Sequence, residues 1–258
     1  MKNILVISGS HKKKGTGITL VDMFKSNFEN EYSSFETIHL SDLDIKYCIG
    51  CTACFKVSGD ACPRKDDVKS VLDKMEKADG IIFVSPIYSM NISGQLKTFL
   101  DRITYTYHRP MFIAKPVIFF ASTDVGGISL VGNYMKYILD AMGMRTVATF
   151  GVLAKPFKMD EKYRAKSQTK LEKIYVEFSM ELNRTVLPKP KFSELFHFTK
   201  WQAKNRYSKD IYPADYKYWN NNGWFESEYY YQVNLGVLDK LRLIFVRKKV
   251  ASIVKKSV

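Results

Sequence analysis

The chain has 258 residues, of which 46% are hydrophobic, 26% charged and 14% aromatic, so it is a globular chain with room for one large domain or one domain plus an appendage. Lys and Arg number 40 against 26 Asp and Glu, a formal charge of +14 that draws acidic proteins, anionic lipid or polyanions without choosing among them. No nucleic-acid motif, regular repeat or low-complexity tract accompanies the charge, so no nucleic-acid partner is expected.

The N-terminal apolar run spans only Ile4 to Ile7, too short for a secretory or membrane segment. A cytoplasmic protein with reduced thiols is therefore expected. KNILVISGS reads as a fully buried strand closed by Gly9, HKKKGTG as a loop, and ITLVDMFKSNF as a helix with Ile18, Val21, Phe24 and Phe28 in step. FETIHLSDL supplies a second strand. DDVKSVLDKMEKAD reads as a helix with Val68, Val71, Leu72 and Met75 on one face. GIIFVSPIY, KPVIFFAST and RTVATFGV follow as buried strands, separated by the helical stretches SGQLKTFLDRITY and VGNYMKYILDAMGM. This alternation is the pattern of a doubly wound α/β fold with five parallel strands, whose ligands bind beyond the carboxyl ends of the strands. Those ends carry three polar, glycine-containing loops, SGSHKKKGTG, SPIYSMNISG and STDVGGIS.

EKYRAKSQTKLEKIYVEFSMELN adds a helix, LPKPK breaks the rhythm, and the rest is rich in aromatics with no strand-loop-helix order. Two units are expected: residues 1–182 as the α/β domain with a cysteine-rich insert at 48–62, and residues 183–258 as a helical extension. Its last stretch places Leu238, Leu241 and Phe245, then Val246, Val250, Ile253 and Val254, among Lys240, Arg242, Arg247, Lys248, Lys249, Lys255 and Lys256. Such a basic amphipathic helix either touches an anionic membrane surface or docks on protein with a solvated charged face.

The first loop fits an anion cradle, with backbone N–H groups and the hydroxyls of Ser10, Thr16 and Thr19 at a helix start and lysines 12 to 14 nearby; the bland alternative is a surface loop. It lacks both the dinucleotide fingerprint and the Walker order. In the second loop Tyr88 offers a flat face suited to a planar ring, or else packs as a core residue. All four cysteines lie in CIGCTACFKVSGDACP with spacing C-x2-C-x2-C-x7-C and a proline after the last. Three closely spaced thiols and a C-P end favour a [4Fe-4S] cluster over zinc knuckles or a redox dithiol, with free thiols as the alternative. The histidines form no catalytic constellation, and no general acid or base stands out, which suits chemistry carried by a cofactor.

Taken together, GSHKKKGTGIT, CIGCTACFKVSGDACPRKDD and ADGIIFVSPIYSMNISGQLKTFLDR resemble the flavodoxin-like NAD(P)H-dependent FMN reductases, and within them the iron-sulfur flavoproteins, over roughly residues 1 to 178. The resemblance implies a flavodoxin-like, doubly wound, five-stranded parallel sheet. It implies FMN held at its phosphate by Ser10, Lys12, Thr16, Gly17 and Ile18. Pro86, Ile87, Tyr88, Ser89, Met90 and Asn91 would border the ring, with Thr123, Gly126 and Gly127 closing the third side. Cys48, Cys51, Cys54 and Cys62 match the cluster motif. His11-Lys12 stands where the family usually has Pro-Arg, and Thr16-Gly17 where it has Asn-Thr. The implied chemistry is hydride acceptance from NAD(P)H and electron delivery to an acceptor; reduction by a ferredoxin without pyridine nucleotide is the alternative. Homo-oligomerisation is a family expectation.

Overall fold

The computed structural model describes residues 1–28 and 33–255. The strands are β1 (Lys2–Ser8), β2 (Ser33–His39), β3 (Gly80–Tyr88), β4 (Asn91–Ile92), β5 (Pro116–Thr123) and β6 (Arg145–Leu153). They form one sheet in the order β2-β1-β3-β5-β6, with every neighbour along that path parallel. The expected five parallel strands are present, and β4 is a sixth. Only two residues long, it turns back from the end of β3 and pairs with it antiparallel.

Alternation of side chains along the central strands builds a core on each face. Leu5, Ile7, Ile81, Phe83, Val117 and Phe119 face one way, onto α3 (Val68–Lys77), α4 (Gly94–Arg102) and α6 (Ile128–Ala141). Ile4, Val6, Ile82, Val84, Ile118 and Phe120 face the other, onto α1 (Thr16–Lys25), α7 (Ala154–Met159) and α8 (Glu161–Leu182). Burial on both faces explains why β1, β3 and β5 are nearly unbroken apolar runs, whereas the edge strands β2 and β6 are half exposed. Chain order reverses between β1 and β3, leaving a crevice at their carboxyl ends.

Two short helices, α2 (Ala53–Lys56) and α5 (Tyr105–His108), lie in the connections flanking α3 and α4. Beyond α8 come α9 (Phe192–Tyr207), α10 (Pro213–Asn221) and α11 (Val237–Lys255). Their core is mainly aromatic: Phe198, Trp201, Trp219, Trp224, Phe225 and Tyr229 pack with Leu195, Leu235 and Leu243, and partly buried Tyr107 and Ile113 of the α/β layer pack against them. α11 lies along α9 and buries Leu243, while Leu238, Leu241 and Phe245 remain exposed. Lys256 of the basic run lies outside the described residues. Among the described residues no helix is long and apolar enough to cross a membrane.

Candidate functional site

Three loops meet at the crevice around a cavity of about 420 Å³. From the first come Ser10, Lys12, Gly15, Thr16 and Gly17; from the second, Pro86, Ile87, Tyr88, Ser89 and Met90; from the third, Thr123 and Gly126. Ile18, Asn91 and Gly127 stand outside this lining, although they occupy the same loops. Val84, Ser122, Asp124, Val125 and, from the two ends of α7, Ala154 and Lys158 complete it. Lys158 carries no motif, and only the return of β6 to the sheet brings it to the cavity that Lys12 also lines.

In the first loop, the Gly9 N–H donates to the Val84 carbonyl at 2.8 Å, tying the end of β1 to β3. The Ser10 hydroxyl accepts the Lys12 N–H at 3.1 Å. No side chain caps α1, and Gly15, Thr16 and Gly17 at its start line the cavity. A Cβ on Gly17 would sit 2.7 Å from the Val84 Cγ1, so glycine is what allows α1 to start directly against β3. Lys13 is drawn away by an ion pair with Asp42 at 2.7 Å, whose hydrogen bond and charge hold the Asp42 carboxyl below its usual range.

The second loop is a tight hairpin in which Tyr88 pairs with Asn91 across Ser89 and Met90. Both turn residues are left-handed, with φ of 47° and 59°, as a two-residue turn between twisted strands requires. Below it, the buried Ser85 hydroxyl donates to the Pro86 carbonyl at 2.8 Å and accepts the Ser93 N–H at 2.9 Å. Ser93 caps α4, so hairpin and helix are locked together while the Tyr88 ring stays exposed at the cavity edge. In the third loop, the Thr123 hydroxyl accepts the N–H groups of Val125 and Gly126 at 3.4 and 3.3 Å. Gly127 has φ of 87° and lies against Met90, whose sulfur would come 3.1 Å from an added Cβ.

Two cations, Lys12 and Lys158, an uncapped helix start and the apolar side chains of Ile87, Tyr88 and Met90 line one cavity, a set of groups that fits a molecule with a phosphate and a flat ring. These are the features that FMN offers.

The cysteine segment lies on a different set of supports. Cys48 and Cys51 are exposed, Cys54 and Cys62 half-buried, and all four thiols are free. Gly50 and Thr52 turn the backbone left-handed, with φ of 65° and 60°, and α2 follows. The Gly50 N–H donates to the Cys48 sulfur and the Arg102 guanidinium to the Cys62 sulfur, each at 3.5 Å. Arg102 also donates to the carbonyls of Lys46 at 2.8 Å and Arg64 at 3.1 Å, and pairs with Asp66. Burial pushes Asp66 up, but the bonds from Arg102 and from the Lys46 and Val68 N–H groups outweigh it and hold the carboxyl below its usual range. Burial pushes the Cys54 thiol up to about 11; Arg109 opposes this, and negative charge at Cys48 and Cys62 adds to it. Thiols whose charges oppose one another, with N–H donors aimed at two of the sulfurs, suit a cationic iron-sulfur centre in kind. Among the described residues no three metal-ligating side chains converge closely enough to hold an ion.

Neither aromatic-flanked histidine faces the cavity. His108 lies between the rings of Phe55 and Trp201, with centroids 4.5 and 4.2 Å away, and bonds to Asp215. His197 packs edge-on against Tyr137. His11 meets Gln95 at a neighbouring recess.

A family model described as NADPH-dependent FMN reductase matches residues 2–157. An iron-sulfur flavoprotein of Archaeoglobus fulgidus is 30% identical over 223 residues, covering 84% of this chain and 97% of that one. An iron-sulfur flavoprotein of Methanocaldococcus jannaschii is 39% identical over 129 residues, 50% of this chain and 61% of that protein. Among solved structures, RosB with bound 8-demethyl-8-formylriboflavin-5'-phosphate has a TM-score of 0.60 at 13% identity over 92% of each chain, a likeness of fold alone.

Proposed function

The chain belongs to the NADPH-dependent FMN reductase family and is kin to the iron-sulfur flavoproteins, and from that premise we propose that it takes electrons from a reduced pyridine nucleotide and passes them to an acceptor by way of the cysteine segment. The family makes it a flavin oxidoreductase. FMN, when bound, supplies the exchange between hydride and single-electron chemistry. The chain's own residues bind and orient. Lys12, Lys158 and the N–H groups at the start of α1 would neutralise the phosphate. The rigid 88–91 hairpin and the 123–127 loop would set the ring between Tyr88, Met90 and the Gly126 backbone. Hydride transfer itself would need no side-chain acid or base, because the hydride carries its own electron pair, and the proton left when those electrons depart singly would go to water.

Cys48, Cys51, Cys54 and Cys62 would hold the [4Fe-4S] group, supplying one-electron steps at the edge of the α/β layer. Four free thiols in one short segment and the relatives named as iron-sulfur flavoproteins support this reading. The observation that carries the proposal as a whole is the three-loop cavity at the β1/β3 switch point. Reduction by an acidic ferredoxin is the second reading, favoured by the +14 charge, since opposite fields speed encounter.

Protein purified without oxygen is to be assayed for flavin, iron and acid-labile sulfide, then mixed with NADH or NADPH. Flavin bands, about four irons per chain and bleaching by either nucleotide are expected. Bleaching by reduced ferredoxin but by neither nucleotide selects the second reading, and absence of flavin overturns both.

A further inference from the structure

The C-terminal extension reaches the cysteine segment through a buried chain of contacts. Asp215, in the first turn of α10, is fully buried. One of its oxygens pairs with the Arg109 Nε at 3.0 Å and the other bonds to the His108 Nδ1 at 2.7 Å. The Arg109 guanidinium donates in turn to the backbone carbonyl of Cys54 and lies over the Tyr105 ring at 4.7 Å. The next residue, Phe55, packs on the His108 ring and on Tyr212, 5.5 Å away. The His108 carbonyl accepts from Asn205 at 3.1 Å and from the Trp219 indole at 2.6 Å, and the Pro110 carbonyl accepts from Tyr218 at 2.8 Å. Thus α9 and α10 grip residues 108–110, and those residues grip α2.

We propose that Asp215 is a positioning residue for the cysteine segment: it fixes Arg109, which fixes the Cys54 carbonyl, so the extension holds one arm of the iron-sulfur ligand set in place. The proposal rests on the cluster reading above. Its physical basis is charge pairing in a site closed to water. The Arg109 Nε and the Asp215 Oδ1 make no aligned hydrogen bond, so the buried carboxylate holds the guanidinium as a close ion pair, while the fork's one aligned donor goes to the Cys54 carbonyl. Without the carboxylate, Arg109 keeps its positive charge but loses the partner that aims it. The four residues of α2 are too few to hold their own geometry. Groups one step removed from metal ligands typically govern affinity by about 10–100-fold.

The test uses the full-length protein and two variants, Asp215→Asn and Arg109→Lys, with Tyr229→Phe, in the same aromatic core but packed on Phe198, Tyr230 and Tyr231, as the control. Three quantities are measured: amide hydrogen exchange of residues 52–57, the rate of iron loss to a chelator, and the cluster midpoint potential by EPR-monitored titration. Asp215→Asn and Arg109→Lys are expected to speed exchange in that segment and to lose iron about tenfold faster, with FMN content unchanged. Asp215→Asn also raises the midpoint potential, because it removes a negative charge and leaves Arg109 uncompensated. The control moves none of the three. Protection and iron retention at wild-type levels in both variants would overturn the proposal. If Asp215→Asn fails to fold, Arg109→Lys decides the matter. Wild-type protein that binds FMN without iron refutes the cluster reading instead, and hydrogen exchange still decides the positioning role.

Discussion

Arg102 and Asp66 form an ion pair almost closed to water, with side chains 3% and 1% exposed, at the stem of the cysteine segment. Separation of the two in sequence hides the relationship, yet it ties α4 to the backbone on both sides of the thiols. Asp66→Asn leaves Arg102 buried and unpaired, and a loss of about 3–5 kcal/mol is expected. Urea unfolding followed by tryptophan fluorescence measures it, and a midpoint unchanged from wild type refutes the expectation.

Gly17 meets Val84 too closely for any side chain. Gly17→Ala should cost about 1–3 kcal/mol of stability by overpacking. Because the same contact sets the start of α1 at the cavity, FMN affinity should fall by about tenfold, the equivalent of 1.4 kcal/mol. Flavin fluorescence titration of the apoprotein reads this directly.

Met90 is a non-glycine residue with φ of 59°, next to Ser89 in the same conformation. Met90→Gly should relieve about 1 kcal/mol of backbone strain and raise Tm. It also strips the thioether from the cavity wall, so weaker FMN binding is the expected counterpart. A variant both less stable and tighter in binding contradicts this account.

Cys54 is half-buried and its thiol is pushed up to about 11, first by burial. Cys54→Ser removes a ligand from the proposed cluster without touching the FMN cavity. Purified without oxygen, the variant should keep its flavin and hold fewer than the about four irons expected of a full [4Fe-4S] site. Equal iron in variant and wild type would remove Cys54 from the ligand set.

Burial pushes His197 down to about 4; Asp140 opposes this, while Lys200 and Lys136 reinforce it. The folded state therefore prefers the neutral ring. Its contribution is complete above the ordinary histidine value near 6.5 and is lost as pH falls from there toward 4, by about 3 kcal/mol. Urea midpoints at a series of pH values should show this slope, and His197→Gln should flatten it. An identical slope in the variant would assign the acid sensitivity to carboxylates alone.

Much of the α/β layer was legible because burial on both faces of a parallel sheet demands continuous apolar strands, and β1, β3 and β5 obey that demand in their own residues. The three loops were legible for a related reason: each follows such a strand, and glycine with small polar residues marks where backbone must approach a ligand. The thiol spacing pointed to the proposed iron-sulfur cluster because such a cluster needs closely spaced sulfurs on one stretch of chain. Strand β4 was not legible, since two residues carry no periodicity and its hairpin uses Ser and Met where Asn and Gly would signal the turn. Nor was Lys13 separable from Lys12 by sequence; only the placement of Asp42 sends one toward an ion pair and leaves the other at the cavity.

The sequence by itself determined the pattern of strands and helices, the three loops and the spacing of the four thiols, because these depend on neighbours in the chain and on local burial. Tertiary structure alone decided that Lys158 joins Lys12, that Arg102 and Asp66 support the thiols, and that Asp215 reaches Arg109. The partners in each of these relationships are distant in sequence. Charge–charge attraction weakens with distance and hydrogen bonds need their partners within about 3 Å, so only the packed fold brings such groups within range.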